Sequence, residues 1–249
     1  MTAKNPAPES ELIDRARQMI EQAGSISSFS GAGLSAESGV ATFRDKNPDA
    51  LWAKYDPMQL ASPDGFRSDP NVVMEWYAWR RKQIGEAEPN PAHEALAKHT
   101  GIVNSTQNTD NLLERAGARN VVHLHGEIVR DRCDHPSCAY KEELDLKNPP
   151  GLRNCPSCGE AYMRPDVVWF GEMLPTDAWS TAEAACGSCD VLLVVGTSAA
   201  VYPAAGLISL AKSAGANVIV VNKESSGASQ LADIELIGQA GEVVPQILV

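Results

Sequence analysis

The residues of this 249-residue sequence whose types and spacing could do chemistry are its six cysteines, two neighbouring histidines and a glycine-rich turn. Cys133 and Cys138 in CDHPSC, then Cys155 and Cys158 in CPSC, form two close pairs in a Pro- and Gly-rich segment. Two such pairs suit a tetrahedral four-thiolate site for one zinc ion per chain. Four thiolates leave no open position for a substrate, so this zinc is expected to be structural. His135 lies inside the first pair and reads as a loop residue. Cys186 and Cys189, in CGSC, end a helical run and lead into an apolar strand, where they are expected to pack rather than bind metal.

Residues 31–45, GAGLSAESGVATFRD, follow the strand-like run SISSF. Gly31-Ala32-Gly33-Leu34-Ser35-Ala36 fits G-x-G-x-x-G/A, in which glycines let backbone approach a pyrophosphate at a helix N-terminus. A tight turn also needs glycine without any ligand, so the motif alone leaves both readings open. TQNTDN (Thr106 to Asn111) comes at a strand end, where open α/β sheets place ligand contacts, although Asn and Asp there also bond their own backbone. In HLHGE, His125 beside Gly126 is better placed as a general base than His123. A dehydrogenase would run from its glycine turn through one helix to a second strand ending in an acidic residue. Here a Pro-rich stretch follows Arg44, which argues against ordinary hydride transfer.

The elements that must position these residues alternate. SISSF, GIVNST, VVHLH, DVLLVVG and NVIVVN read as strands, and helical patterns precede the last four. That rhythm predicts an α/β fold, a Rossmann-like doubly wound parallel sheet with helices on both faces. Two stretches break it. Residues 46–91 hold six prolines around one helical run, NVVMEWYAWRRKQIGE, and residues 131–162 hold the four paired cysteines with little periodicity. Both read as insertions that form a smaller zinc-binding and helical domain, leaving 1–45, 92–130 and 163–249 as the Rossmann-like domain. The N-terminal segment reads as a polar tail and an amphipathic helix. It has no apolar signal core and no later run is long enough to span a membrane, so a cytoplasmic protein is expected. Against 21 Lys and Arg stand 32 Asp and Glu, a net charge of −11 that argues against a nucleic-acid partner and suits basic protein substrates.

Taken in order, GAGLSAESGVATFR, TQNTD, HLHG, the two cysteine pairs, VVWFGE, VVGTS and VVN resemble the sirtuin family of NAD-dependent protein deacylases, from about residue 24 to 246. The resemblance implies that Gly31, Ala32, Gly33, Ser35, Thr42, Phe43 and Arg44 hold the pyrophosphate and riboses of NAD. It implies that Gln107, Asn108 and Asp110 bind the nicotinamide ribose and nicotinamide, with Asn108 and Asp110 assisting catalysis and His125 the general base. Gly196, Thr197, Ser198, Asn222, Glu224 and Ala240 would line the adenosine half. Val168, Trp169, Phe170, Gly171 and Glu172 on one side, with Val201 and Tyr202 on the other, would pair with an acyl-lysine substrate bound as an extended strand. The family releases nicotinamide and free lysine and passes the acyl group to ADP-ribose. An ADP-ribosyltransferase or a non-catalytic NAD sensor would share the NAD residues, and the presence of His125 and the peptide-binding stretches favours deacylation.

Tyr77 and Arg80 fall at i and i+3 and share one face of the expected helix. Tyr-x-x-Arg here, with Ala61 in LASP, resembles the sirtuin subgroup that removes succinyl and malonyl groups. An Arg can hold a carboxylate through two parallel hydrogen bonds, and a Tyr hydroxyl can add a third. Arg81, next in sequence, is expected to face solvent. Two positions depart from the family: Ala41 stands where Pro is usual, and Thr109 where an aliphatic residue is common.

Overall fold

The computed structural model describes residues 9–40 and 56–249. Thr42, Phe43, Arg44 and Ala41 lie outside these. Helix α1 (Glu9–Glu21) leads into β1 (Ile26–Ser30), a short α2 (Gly33–Ala36), then α3 (Pro57–Leu60), α4 (Pro63–Ser68), α5 (Pro70–Glu86) and α6 (Pro91–Lys98). Strand β2 (Val103–Thr106), α7 (Leu112–Arg115), β3 (Val121–His123), β4 (Gly126–Cys133), β5 (Lys141–Glu143) and β6 (Met163–Val167) follow. The chain ends with α8 (Thr176–Ser188), β7 (Val191–Val195), α9 (Gly206–Ser213), β8 (Asn217–Asn222), β9 (Ile234–Ile237) and α10 (Ala240–Ile247).

Six strands form one parallel sheet in the order β3-β2-β1-β7-β8-β9. The apolar runs of β7 and β8 have no polar face because helices cover both sides. Val191, Leu193 and Val195 with Ile219 and Val221 face α1, α6 and α10. Leu192 and Val194 with Val218 and Val220 face α8 and α9. The doubly wound fold expected from the sequence is therefore present, with β9 as a further edge strand. Chain order reverses between β1 and β7, so the crevice beyond Ser30 and Val195, which are register partners, is the switch point where such sheets bind ligands.

A second, antiparallel sheet, β5-β4-β6, carries the cysteine segment. It runs beyond the expected 131–162 module, taking in Gly126 to Arg130 of β4 and Met163 to Val167 of β6. The long helix α5 begins where Asp69 accepts the Val72 N–H and Pro70 occupies its first turn. It packs Val73, Met74, Trp76, Tyr77 and Ile84 against Ile128 and Val167 of the small sheet and Leu112 of α7.

One expectation is corrected here: Arg81 does not face solvent. Its side chain is 0% exposed, Nη2 lies 2.5 Å from Asp131 Oδ1, and Nε donates to the Ile128 carbonyl at 3.0 Å. Asp131, also 0% exposed, accepts from Arg153 Nη1 at 2.8 Å. Burial is possible because the pair is hydrogen-bonded from both strand and helix.

Candidate active site

The switch-point crevice starts at the glycine turn after β1. Gly31 N–H donates to the Val195 carbonyl at 3.0 Å and Gly33 N–H to the Gly196 carbonyl at 2.8 Å. A Cβ on Gly33 would lie 2.6 Å from Gly196 Cα, and one on Gly196 2.3 Å from Leu34 N. These glycines thus have a reason independent of ligand: the turn after β1 and the loop after β7 pack backbone against backbone, and Gly196 also has φ +62°. Ala32 is half-buried between the two glycines.

The loop after β2 lies alongside this turn. Gln107 N–H donates to the Ser30 carbonyl at 2.9 Å, and its Nε2 to Thr197 Oγ1 at 2.9 Å. Asn108 Nδ2 donates to Ser35 Oγ at 3.0 Å, and Asp110 Oδ1 accepts the Leu112 N–H at 3.2 Å. Burial pushes Asp110 up from the ordinary aspartate range, while the Leu112 N–H, Ser35 and His123 oppose that shift. His93, on α6, completes the group: Nδ1 accepts the Asn90 N–H, and Nε2 lies 3.4 Å from Ser35 Oγ. Burial lowers its pKa to about 4, so the ring is neutral. Sequence reasoning missed His93. Its signal is NPAH, where Asn90 caps α6, Pro91 opens it and His93 reaches back to the cap.

His125 follows the end of β3. Its Nδ1 donates to the Gln107 carbonyl at 3.0 Å, which fixes the tautomer and leaves Nε2 as the basic nitrogen. Burial lowers its pKa, against the pull of that carbonyl. A neutral imidazole with one oriented lone pair is the form a general base requires.

On the other side of the switch point, Asn222 Nδ2 donates to the Thr197 carbonyl at 2.9 Å and to Ser226 Oγ at 3.1 Å. Ser198 is half-buried and Glu224 exposed. Ala240 opens α10, whose second residue, Gly241, donates its N–H to Glu37 Oε2 at 2.7 Å. The glycine turn, Gln107, Thr197 and Asn222 thus form one hydrogen-bonded rim of backbone and neutral polar groups at the strand ends. Those donors and acceptors, with glycines where the backbone comes close, fit a dinucleotide.

The four cysteines of the small sheet meet. Their sulfurs all lie within 4.8 Å of one another, with Cys133–Cys158 at 3.6 Å and Cys138–Cys155 at 3.9 Å. A tetrahedron with Zn–S bonds of about 2.3 Å has S–S edges of about 3.8 Å, so the donor set fits zinc. Cys186 and Cys189 pack instead with Leu192, Val194 and Leu207, and burial pushes the Cys186 thiol up to about 12. Among the described residues, the paired four are the one cysteine cluster able to hold a metal.

Residues 31–203 match the Sir2 family. The chain belongs to the Sir2 family. An NAD-dependent protein deacylase of Thermococcus kodakarensis is 45% identical over 95% of each chain. A Sir2 homolog–NAD complex superposes with a TM-score of 0.87 at 41% identity, covering 100% of this chain and 95% of the other. A Sir2 protein bound to a myristoylated histone peptide gives 0.77 at 33% identity, covering 96% and 95%.

In this Sir2 chain the VVWFGE stretch runs past His125. Val168 N–H donates to the His125 carbonyl at 2.8 Å, and Phe170 N–H to the Ala61 carbonyl at 2.8 Å. Trp169 turns inward: it is 2% exposed, with Arg164 Cζ 3.3 Å from its ring centroid. Its Nε1 donates to the Tyr77 hydroxyl at 2.9 Å. The Glu172 carboxylate is engaged by Arg164 and by the Trp169 N–H, so it braces Trp169. Phe170, Gly171, Val201 and Tyr202 are exposed, and Gly171 has φ +87°. Tyr77, Ala61 and Trp169 share one apolar cluster. Arg80 is 8% exposed with its Cζ 5.2 Å from the Trp76 ring centroid, and burial lowers its pKa against Tyr77 and Asp110. Burial pushes the Tyr77 hydroxyl up to about 12.

Proposed function

We propose that this Sir2 protein is an NAD-dependent protein-lysine deacylase that prefers succinyl and malonyl groups and retains some deacetylase activity. NAD, when bound, supplies the ribose that accepts the acyl group and nicotinamide as leaving group. The chain's own residues do the rest. Asn108 and Asp110 orient the nicotinamide end, and His125 Nε2 takes a proton as the base. The substrate enters as an extended strand between Val168–Glu172 and Val201–Tyr202, a mode supported by the peptide complex of the related Sir2 protein. An acidic chain of net charge −11 suits basic protein segments rather than nucleic acid. A reducing compartment, the cytoplasm, is part of this reading, since none of the six cysteines is paired in a disulfide. Among the described residues, no helix is long and apolar enough to cross a membrane.

The observation that carries the acyl preference is a buried guanidinium, Arg80, within electrostatic reach of a buried Tyr77 whose hydroxyl already accepts from Trp169. With that lone pair engaged, the hydroxyl proton remains to be donated, and a carboxylate can take it together with the guanidinium hydrogens. The test is kcat/KM on one peptide carrying succinyl-, malonyl- or acetyl-lysine. Truncating one partner of a buried charge pair costs about 2–5 kcal/mol, or roughly 30-fold to several thousand-fold. Arg80→Met should lose desuccinylation within that range and change deacetylation far less, and Tyr77→Phe should act the same way more weakly. Equal losses on all three peptides would mean that Arg80 supports the helix or the NAD side instead.

A further inference from the structure

His123 and His125 hold consecutive carbonyls of the loop between β2 and α7. His125 Nδ1 lies 3.0 Å from the Gln107 oxygen, and His123 Nδ1 lies 2.9 Å from the Asn108 oxygen. A carbonyl oxygen only accepts, so each Nδ1 carries a proton. The rings differ at Nε2. In His123 it lies 2.7 Å from Glu114 Oε1 on α7, with the His123 side chain 7% exposed. Two acceptors do not meet at that distance without a proton between them, so this ring and carboxyl share one in addition to that on Nδ1.

We propose that His123 is a positioning residue for Asn108, and that it holds the loop only while the His123–Glu114 pair keeps its shared proton. Asn108 is otherwise held by fixed groups: its N–H donates to Thr106 Oγ1 at 3.1 Å and its Nδ2 to Ser35 Oγ at 3.0 Å. Its carbonyl alone leans on a titrating ring. The charged groups bearing on that ring are Glu114 of α7, Glu127 of β4 and Asp110 of the loop. On the other face of β3, α8 brings Trp179, Ala182 and the neutral thiol of Cys186 to the cluster that Val122 joins. Burial alone would lower the His123 pKa, but Glu114, the Asn108 carbonyl and Glu127 outweigh it and the pKa is raised. The shared proton is therefore held to higher pH than an ordinary histidine would hold it, and is lost as pH rises further. Its loss sets a ring lone pair against a carboxylate and moves the ring that tethers Asn108.

The inference rests on the deacylase reading, and the experiment separates the two. On the whole protein, kcat/KM for NAD is measured from acid to alkaline pH for wild type, Glu114→Gln and His123→Gln, while NMR follows the His123 ring nitrogens. An opposite charge at this range supports the protonated form by about 1–3 pH units. In Glu114→Gln the ring titration should move toward acid by about that amount, and the alkaline fall in kcat/KM should disappear, because an amide N–H meets the ring lone pair that the carboxylate repels. His123→Gln has no ring to titrate and should lose the fall. Superimposable profiles, a uniform loss at every pH, or a wild type with no alkaline fall would each overturn the inference. An inactive wild type would defeat the deacylase reading, and the NMR titration alone would then decide whether the pair holds its proton to high pH.

Discussion

His125 and His123 stand two residues apart and each bonds one loop carbonyl, yet their chemistry diverges at a single nitrogen. Nε2 of His125 is left as a base, and Nε2 of His123 is taken up by Glu114. His125→Ala should keep fold and NAD binding while losing deacylation by at least about 10²-fold, the usual scale for a general base. Calorimetric titration with NAD beside a turnover assay checks both parts, and near-wild-type turnover would remove His125 from the mechanism. The sequence placed His125 ahead of His123 because it sits beside Gly126 at a strand end. What faces each ring comes from α7 and the β2 loop, so no spacing within HLHGE contained it. His93 was hidden for a related reason. A buried neutral His bonded to Ser35, distant in sequence, looks like any other helix residue until the two are brought together.

Helix α5 sends neighbouring arginines in different directions. Arg80 lies by Tyr77 and Asp110, and Arg81 locks onto β4 through Asp131. Removing one member of a buried pair typically costs about 3–5 kcal/mol, because the other charge stays behind. Arg153 still reaches Asp131, so Arg81→Met should fall near the lower end, measured as the shift in a urea unfolding curve. A solvent-facing Arg81 would cost no more than about 0.5 kcal/mol. Arg81→Met with Asp131→Leu should recover much of the loss. The charged run WRRK misled the sequence reading because a run of charges usually marks a wet face. The same effect hid the small sheet: β4 and β6 carry buried Asp131 and Arg164, so apolar alternation fails where ion pairs replace it. The large sheet was legible since β7 and β8 are apolar at nearly every position.

At the scale of the whole molecule, three apolar cores of ordinary size contrast with a fourth. The cluster under the cysteines has Cys133, Cys155 and Met163 as its buried members. So little apolar surface leaves the cysteine loops dependent on metal binding for their folding free energy. Native mass spectrometry should find one zinc per chain. A Cys186→Ser/Cys189→Ser variant should keep it, and a strong chelator should remove it together with the folded cysteine loops and activity. Loss of zinc in the double variant would overturn the ligand assignment. The large sheet is closed in another way, by contacts across great distances of sequence. Gly33 leans on Gly196, and Glu37 seats on Gly241, 204 residues away. A ribosome makes the glycine turn early and its partners late. The growing chain therefore acquires affinity for NAD last. A polypeptide interrupted before α10 leaves the ribosome with every zinc ligand made and its dinucleotide groove still open.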